Sequence, residues 1–208
     1  FEAENGTGGG SVVQNYFDPR NAYGISSYDI KHFFSWSSVY SLPFGRGQKW
    51  LQTGFTSYIL GGWKANYLFQ IRSGQPYNLN VGGDPAYITG NGTQVAGYSR
   101  PNVVGNPLAG ACGATPVGKR GSNGFCMINP SAFAVPVASF GNMGKMPFRV
   151  PSSNNLDFSV VKETPIWENL NLELRAESFN LYNVVIPGNP GTTIGNASAG
   201  LATTQGNT

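Results

Sequence analysis

Few side chains in this 208-residue chain could do chemistry, and their spacing directs them away from catalysis. His32 is the single histidine, with Asp29 as its nearest acid and no cysteine close by. Ser/His/Asp, Cys/His and histidine-based metal arrangements therefore all lack members. Glu173 and Glu177 could be imagined as paired carboxylates for acid–base work, but Arg175 lies between them at the same parity. A salt-bridge ladder is the stronger reading of that trio. The glycine run GTGGG at 6–10 follows no strand pattern and precedes no Lys-Ser/Thr pair, so it does not make a phosphate loop. Cys112 and Cys126 lie in ACGATPVGKRGSNGFC with no histidine or further cysteine to complete a metal site. A local disulfide is the expectation, against the alternative of two free thiols in a cytosolic loop. Closing such a loop stabilises by about 3 kcal/mol in the chain-entropy account, and the bond persists only in an oxidising compartment. No catalytic residue, metal or cofactor is expected.

These side chains must be positioned by strands. From Trp63 to Arg72 the odd positions are Trp63, Ala65, Tyr67, Phe69 and Ile71, while the even ones are Lys64, Asn66, Leu68, Gln70 and Arg72. A period of two over ten residues predicts a strand with one greasy and one polar face. Such a strand either lines a core and faces water, or faces lipid outside and a wet lumen inside. Three further strands are expected, giving bounds of about 29–42, 62–73, 155–163 and 169–182. In the first, Ile30, Phe34, Trp36, Tyr40 and Leu42 alternate with Lys31, Ser35, Ser37 and Ser41, with His32, Phe33 and Val39 breaking the pattern, and Pro43 stops it. In the last, Leu170, Leu172, Leu174 and Ala176 oppose Asn171, Glu173, Arg175 and Glu177, the cleanest alternation in the chain. The link Thr164-Pro165-Ile166-Trp167-Glu168 should make the last two a hairpin. A turn centred near Ile166 would set Val160 opposite Leu172 and Asp157 opposite Arg175. Residues 1–28 read as loop. Segment 78–150 reads as a long irregular stretch carrying Arg100, Lys119, Arg120, Lys145 and Arg149 against the single acid Asp84, and no strand is expected after Asn183.

Composition bounds the class. Only 11% of residues are charged, with 29 Gly, 14 Pro and 13% aromatics, a turn-rich all-β profile. A net charge of +3 with scattered basic residues argues against nucleic acid as a partner. No apolar run approaches the roughly 20 residues of a spanning helix, so a membrane role would have to be carried by strands. The opening FEAENGTGGGS has neither an initiator Met nor a signal peptide and reads as the start of an excised piece.

Taken in order, DIKHFFSWSSVYSLPFGRGQKW, LGGWKANYLFQIRSGQPYNL, NPSAF, FGNMGKMPFRVPSSNNLDFSVVKETPIW and NLNLELRAESFNLYNVV closely resemble the C-terminal barrel region of TonB-dependent outer-membrane receptors. The nearest branch is the Oar-like one, in which a carboxypeptidase-regulatory-like domain precedes plug and barrel. The resemblance covers about residues 14–195. It implies an all-β fold: an antiparallel long-strand sheet, the C-terminal segment of a transmembrane β-barrel of about 22 strands, with long Gly/Pro-rich extracellular loops. The links at 43–62 and 164–168 would be periplasmic turns, and the plug and the closing strand are absent from 1–208.

Under that resemblance Lys64, Arg72, Asp157, Glu173, Arg175 and Glu177 would face the lumen. Phe34, Trp36, Tyr40, Trp63, Tyr67, Phe69 and Trp167 would face lipid or mark the interface, with Tyr40, Trp63 and Trp167 beside the periplasmic turns. The implied partners are outer-membrane lipid, the remainder of the barrel and plug, the TonB energy-transducing complex through the missing N-terminal part, and an unknown solute. The solute would be large or scarce: a carbohydrate, a peptide or a chelated metal. The competing expectation is a soluble extracellular β-sandwich that stacks exposed aromatics on polysaccharide.

Overall fold

The computed structural model describes residues 14–15, 17–87, 99–145, 147–167 and 170–205. The glycine run at 6–10 and Glu168 of the expected hairpin link lie outside them. The chain divides into two units, one made of His32–Ser73 and Ser152–Val184, the other of Phe1–Lys31, Gly74–Pro151 and Val185–Thr208.

The first unit is a four-stranded antiparallel sheet. Its strands are β1 (Phe33–Ser41), β2 (Trp63–Arg72), β3 (Ser153–Trp167) and β4 (Leu170–Ser178), in the spatial order β1-β2-β3-β4. Phe33 faces Arg72, which faces Ser153 on its other side, and Ser178 faces Phe158. The two longer connections to the rest of the chain, after Arg72 and before Ser153, therefore both leave from this end. At the opposite end Leu42 donates its N–H to Trp63 O at 2.9 Å before Pro43 removes the next donor.

The β1–β2 link is more than a turn. It holds a short helix, α1 (Phe55–Leu60), where a bare connection was expected. Three of its glycines, Gly45, Gly61 and Gly62, allow close approach. A Cβ on Gly45 would lie 2.5 Å from Gly61 Cα, and one on Gly62, at φ +74°, would lie 2.2 Å from Glu163 O. Only glycine lets these backbones meet.

Two expectations about the hairpin need correction. Residues 164–167 continue β3 rather than turning, Trp167 pairs with Leu170, and the register is Val160↔Ala176 and Val161↔Arg175. Asp157 is not opposite Arg175, and Val160 is not opposite Leu172. Pro165 misled the reading: it sits where the register shifts between Pro165 and Trp167, and such an irregularity accommodates a residue with no N–H to give the ladder.

In the second unit the described residues of segment 78–150 are not an unstructured loop. Strands of two or three residues build small ladders: Phe148–Arg149 pairs with Pro76–Tyr77, and Gly124–Cys126 with both Arg120–Gly121 and Leu201–Ala202. They enclose a core of Tyr77, Leu79, Val81, Met127, Ile128, Phe133 and Met143. The tail, expected to lack strands, supplies Thr193–Ile194 and Leu201–Ala202 and buries Ile194, Ala199 and Ala202 in that core. Cys112 and Cys126 are bonded, with sulfurs 2.06 Å apart, as the spacing predicted.

Gly62→Ala should destabilise by roughly 1–3 kcal/mol, because it adds a Cβ against Glu163 O at a positive φ. Urea unfolding, in lipid vesicles, of the intact protein that contains this chain, followed by tryptophan fluorescence, reads this directly. A midpoint equal to that of the parent would show that the close approach carries no weight.

Candidate functional site

Register places side chains on faces without further assumption, since partners across a ladder project to the same side. Starting from β2, Tyr67 faces Ser38 and Phe158, Phe69 faces Trp36 and Leu156, and Trp63 faces Lys162. Through β3, Val160 reaches Ala176, Lys162 reaches Leu174 and Thr164 reaches Leu172. One face thus gathers Phe34, Trp36, Tyr40, Trp63, Tyr67, Phe69, Leu172 and Leu174, and the alternation of β4 adds Leu170. The rings meet across strands: Trp36 stacks on Tyr67 at 6.5 Å, Tyr67 tilts against Phe158 at 5.1 Å, and Phe34 meets Phe69 edge-on at 6.3 Å. This stripe is uncovered. Phe34, Trp36, Tyr40, Leu170, Leu172 and Leu174 are between 45% and 56% exposed.

The opposite face collects the polar side chains. Arg72 faces Ser153, Gln70 faces Asn155, Asn66 faces Ser159, and Ser159 in turn faces Glu177. Lys64 bonds Glu163 at 2.6 Å, and Arg175 lies 3.3 Å from both Glu173 and Glu177. The trio is the salt-bridge ladder its spacing suggested, with no free carboxylate pair. Glu163 stands directly opposite Glu173, and Lys64 and Arg175 flank the two carboxylates with positive charge. Exposed pairs of this kind contribute about 0–1 kcal/mol each. Asp157, expected to serve Arg175, instead accepts Asn180 N–H at 2.9 Å and Asn155 Nδ2 at 3.0 Å. His32 sits just before β1, bonded to Ser73 through its backbone, and it joins no metal-ligating group among the described residues.

Sequence reasoning missed two arrangements. Lys162 projects on the apolar face, where its Nζ donates to Tyr58 O at 2.6 Å and to Ile59 O and Gly61 O at 3.0 Å, while lying 5.2 Å from the Trp63 ring. The lysine amid apolar alternation was the only available signal. In the second unit, Arg100 is buried and donates to Gln14 Oε1 through its N–H at 2.7 Å and its Nε at 3.3 Å, and to the backbone and side-chain oxygens of Asn21. Burial lowers its guanidinium and pushes the Tyr77 phenol up from their ordinary values. Arg149 similarly binds the Asp29 carboxylate. Gln14 and Asn21, in the stretch read as loop, and Asp29, at the expected start of the first strand, are thus fastened to their own unit by charged anchors.

An antiparallel sheet with one uncovered aromatic–aliphatic face and one charged, hydrogen-bonded face is the wall of a transmembrane β-barrel. No helix among the described residues is long and apolar enough to cross a membrane. A family profile described as outer membrane beta barrel domain matches residues 2–208, and the chain belongs to that family. Its location is the bacterial outer membrane, in contact with membrane lipid. Searches of curated proteins and of solved structures returned no match.

Ala176→Arg tests the faces, because Ala176 lies on the aromatic side opposite Val160. Arginine there should cost roughly 2–4 kcal/mol at mid-bilayer and less toward the interface. Ser37→Arg, on the polar side opposite Leu68, should stay within about 0.5 kcal/mol of the parent. The urea midpoint in vesicles reads both, and equal costs would remove the distinction between the faces.

Proposed function

We propose that the chain forms part of the barrel of a TonB-dependent receptor, of the Oar-like branch, that takes up a large or scarce solute such as a carbohydrate, a peptide or a chelated metal. The observation that carries this reading is the pairing of the resembling blocks. DIKHFFSWSSVYS, WKANYLFQIR, LDFSVVKETPIW and NLELRAES become four successive strands of one wall, with long chain segments leaving from a single end. In the reading, that end is extracellular, and the 43–62 link is periplasmic.

The remaining blocks support it differently. NPSAF is a capped turn, in which Asn129 Oδ1 accepts Ser131 N–H at 3.0 Å and Phe133 drops into the core of the second unit. SGQPY and FRVP meet where a Cβ on Gly74 would strike Val150 O. Motifs held by such packing suit an ordered outer structure that presents a solute surface. Lys64, Arg72, Asp157, Glu173, Arg175 and Glu177 face the lumen in this account, and the role is uptake without catalysis. The plug, the rest of the barrel and the energy-transducing complex complete the receptor. A soluble sandwich needs a second sheet over its aromatic face; the outer-membrane family assignment and the uncovered stripe favour lipid there.

Energy coupling tests the proposal. In cells carrying the receptor that contains this chain, solute uptake should stop when the inner membrane is de-energised with a protonophore, while surface binding persists. Uptake that continues unchanged would indicate a passive pore and overturn the receptor reading.

A further inference from the structure

The link between β1 and β2 has properties that a plain turn does not need. From Leu42 to Gly62 it contains Arg46 and Lys49 and no acidic residue. Helix α1 leaves Phe55 78%, Ile59 51% and Leu60 46% exposed, although an apolar surface of this kind in water is normally covered. Its two cations sit on aromatic rings, Arg46 4.8 Å from the Tyr58 centroid with a 2.7 Å bond to the hydroxyl, and Lys49 5.3 Å from Trp50. The helix is also fixed to one side of the sheet. Lys162 and Trp63, both on the apolar face, bond its last carbonyls, and Trp63 Nε1 donates to Ile59 O at 2.9 Å. The exposed apolar side chains of α1 thus continue the face that meets lipid.

We propose that this link is a membrane foot. Helix α1 lies in the boundary between headgroups and acyl chains, with Phe55, Ile59 and Leu60 entering the acyl layer and Arg46 and Lys49 binding the phosphates of an anionic phospholipid. Three features select lipid over other occupants: continuity with the lipid-facing sheet, the absence of any acid in the link, and the pairing of cation with aromatic ring that suits the polar–apolar boundary. Lys162 acts from within. By neutralising the carbonyl end of α1 it lets a helix terminus lie beside lipid without unsatisfied acceptors. The inference rests on membership of the outer-membrane family and not on the nature of the solute, so it stands or falls apart from the receptor reading.

The test uses the intact outer-membrane protein that contains this chain, reconstituted in vesicles. Because both native cysteines are bonded, a nitroxide attached at Phe55→Cys or Ile59→Cys reports a single site. Power saturation then compares collisions with oxygen, which concentrates in lipid, and with a water-soluble nickel chelate. At both sites oxygen collisions should dominate in vesicles containing phosphatidylglycerol, whereas at Gln52→Cys, on the exposed stretch before the helix, the chelate should dominate. Arg46→Gln should lower the ratio of membrane-inserted to aqueous label about fivefold, matching the loss of one cation at an anionic surface. Sheet circular dichroism confirms that each labelled chain is folded. Chelate-dominated relaxation at Phe55 and Ile59 in folded protein would overturn the foot. Equal insertion in pure phosphatidylcholine would overturn the phosphate assignment, and dipolar broadening that grows with protein density would assign the surface to a second copy instead.

Discussion

Backbone hydrogen bonding along β2 is the constraint from which the first unit follows. The strand is paired along its whole length on both sides, with β1 from Phe33↔Arg72 to Ser41↔Lys64 and with β3 from Ser153↔Arg72 to Lys162↔Trp63. In hydrocarbon an unmet N–H or carbonyl costs several kcal/mol, far more than any single side-chain contact in the sheet. The ladder therefore fixes which residues lie side by side. Side chains then only determine which face meets which medium. Among the described residues nothing pairs the outer edges of β1 and β4, and lipid cannot satisfy such groups; only further strands can.

Face assignment was legible from sequence because it depends on parity alone. The correct hairpin register differs from the expected one by an even number of residues, so Leu172 and Leu174 kept company with Tyr67 and Phe69 while Glu173 and Arg175 stayed with Lys64. The turn position was not legible. Pro165 and the polar run after Val161 look like an ending, but β3 continues to Trp167 because its ladder tolerates a shift at the proline. Helix α1 was hidden for a different reason. At six residues it is too short for a periodic signal, and it is held by Lys162, which is distant in sequence.

The second unit shows where pattern reading stops. Its strands are two or three residues long, so no alternation can be seen, and its core residues are drawn from Tyr77 to Ala202 without local periodicity. What remained readable were features with their own local chemistry: the cysteine pair, the Asn-Pro cap at Asn129, and the glycines. A Cβ on Gly141 would lie 1.9 Å from Arg100 O, a contact that no composition argument could locate. The Gln14–Arg100–Asn21 network was equally invisible, because it joins residues that sequence places in two unrelated loops.

The charges on the polar face accept the hairpin register and do not choose it. Were electrostatics in command, sliding β4 by two residues would bring Arg175 directly opposite Glu163 and relieve the Glu163↔Glu173 opposition seen here. Such a pair is worth about 0.2–1 kcal/mol. Against it stand the Trp167↔Leu170 pairing at one end and a clamp at the other, where Asp157 accepts Asn180 N–H at 2.9 Å and Leu181 N–H bonds Leu156 O at 2.8 Å. Sliding would break both of these bonds. A backbone N–H held by a carboxylate contributes about 1.5–3 kcal/mol, so the clamp alone outweighs the ion pair it forgoes. With register set by backbone at both ends, the carboxylates are left facing each other, and Lys64 and Arg175 at their flanks are what makes that opposition tolerable. Asp157 was expected to fix the hairpin by pairing with Arg175; it fixes the hairpin through a backbone N–H instead, and Arg175 is thereby free to hold Glu173 and Glu177 together.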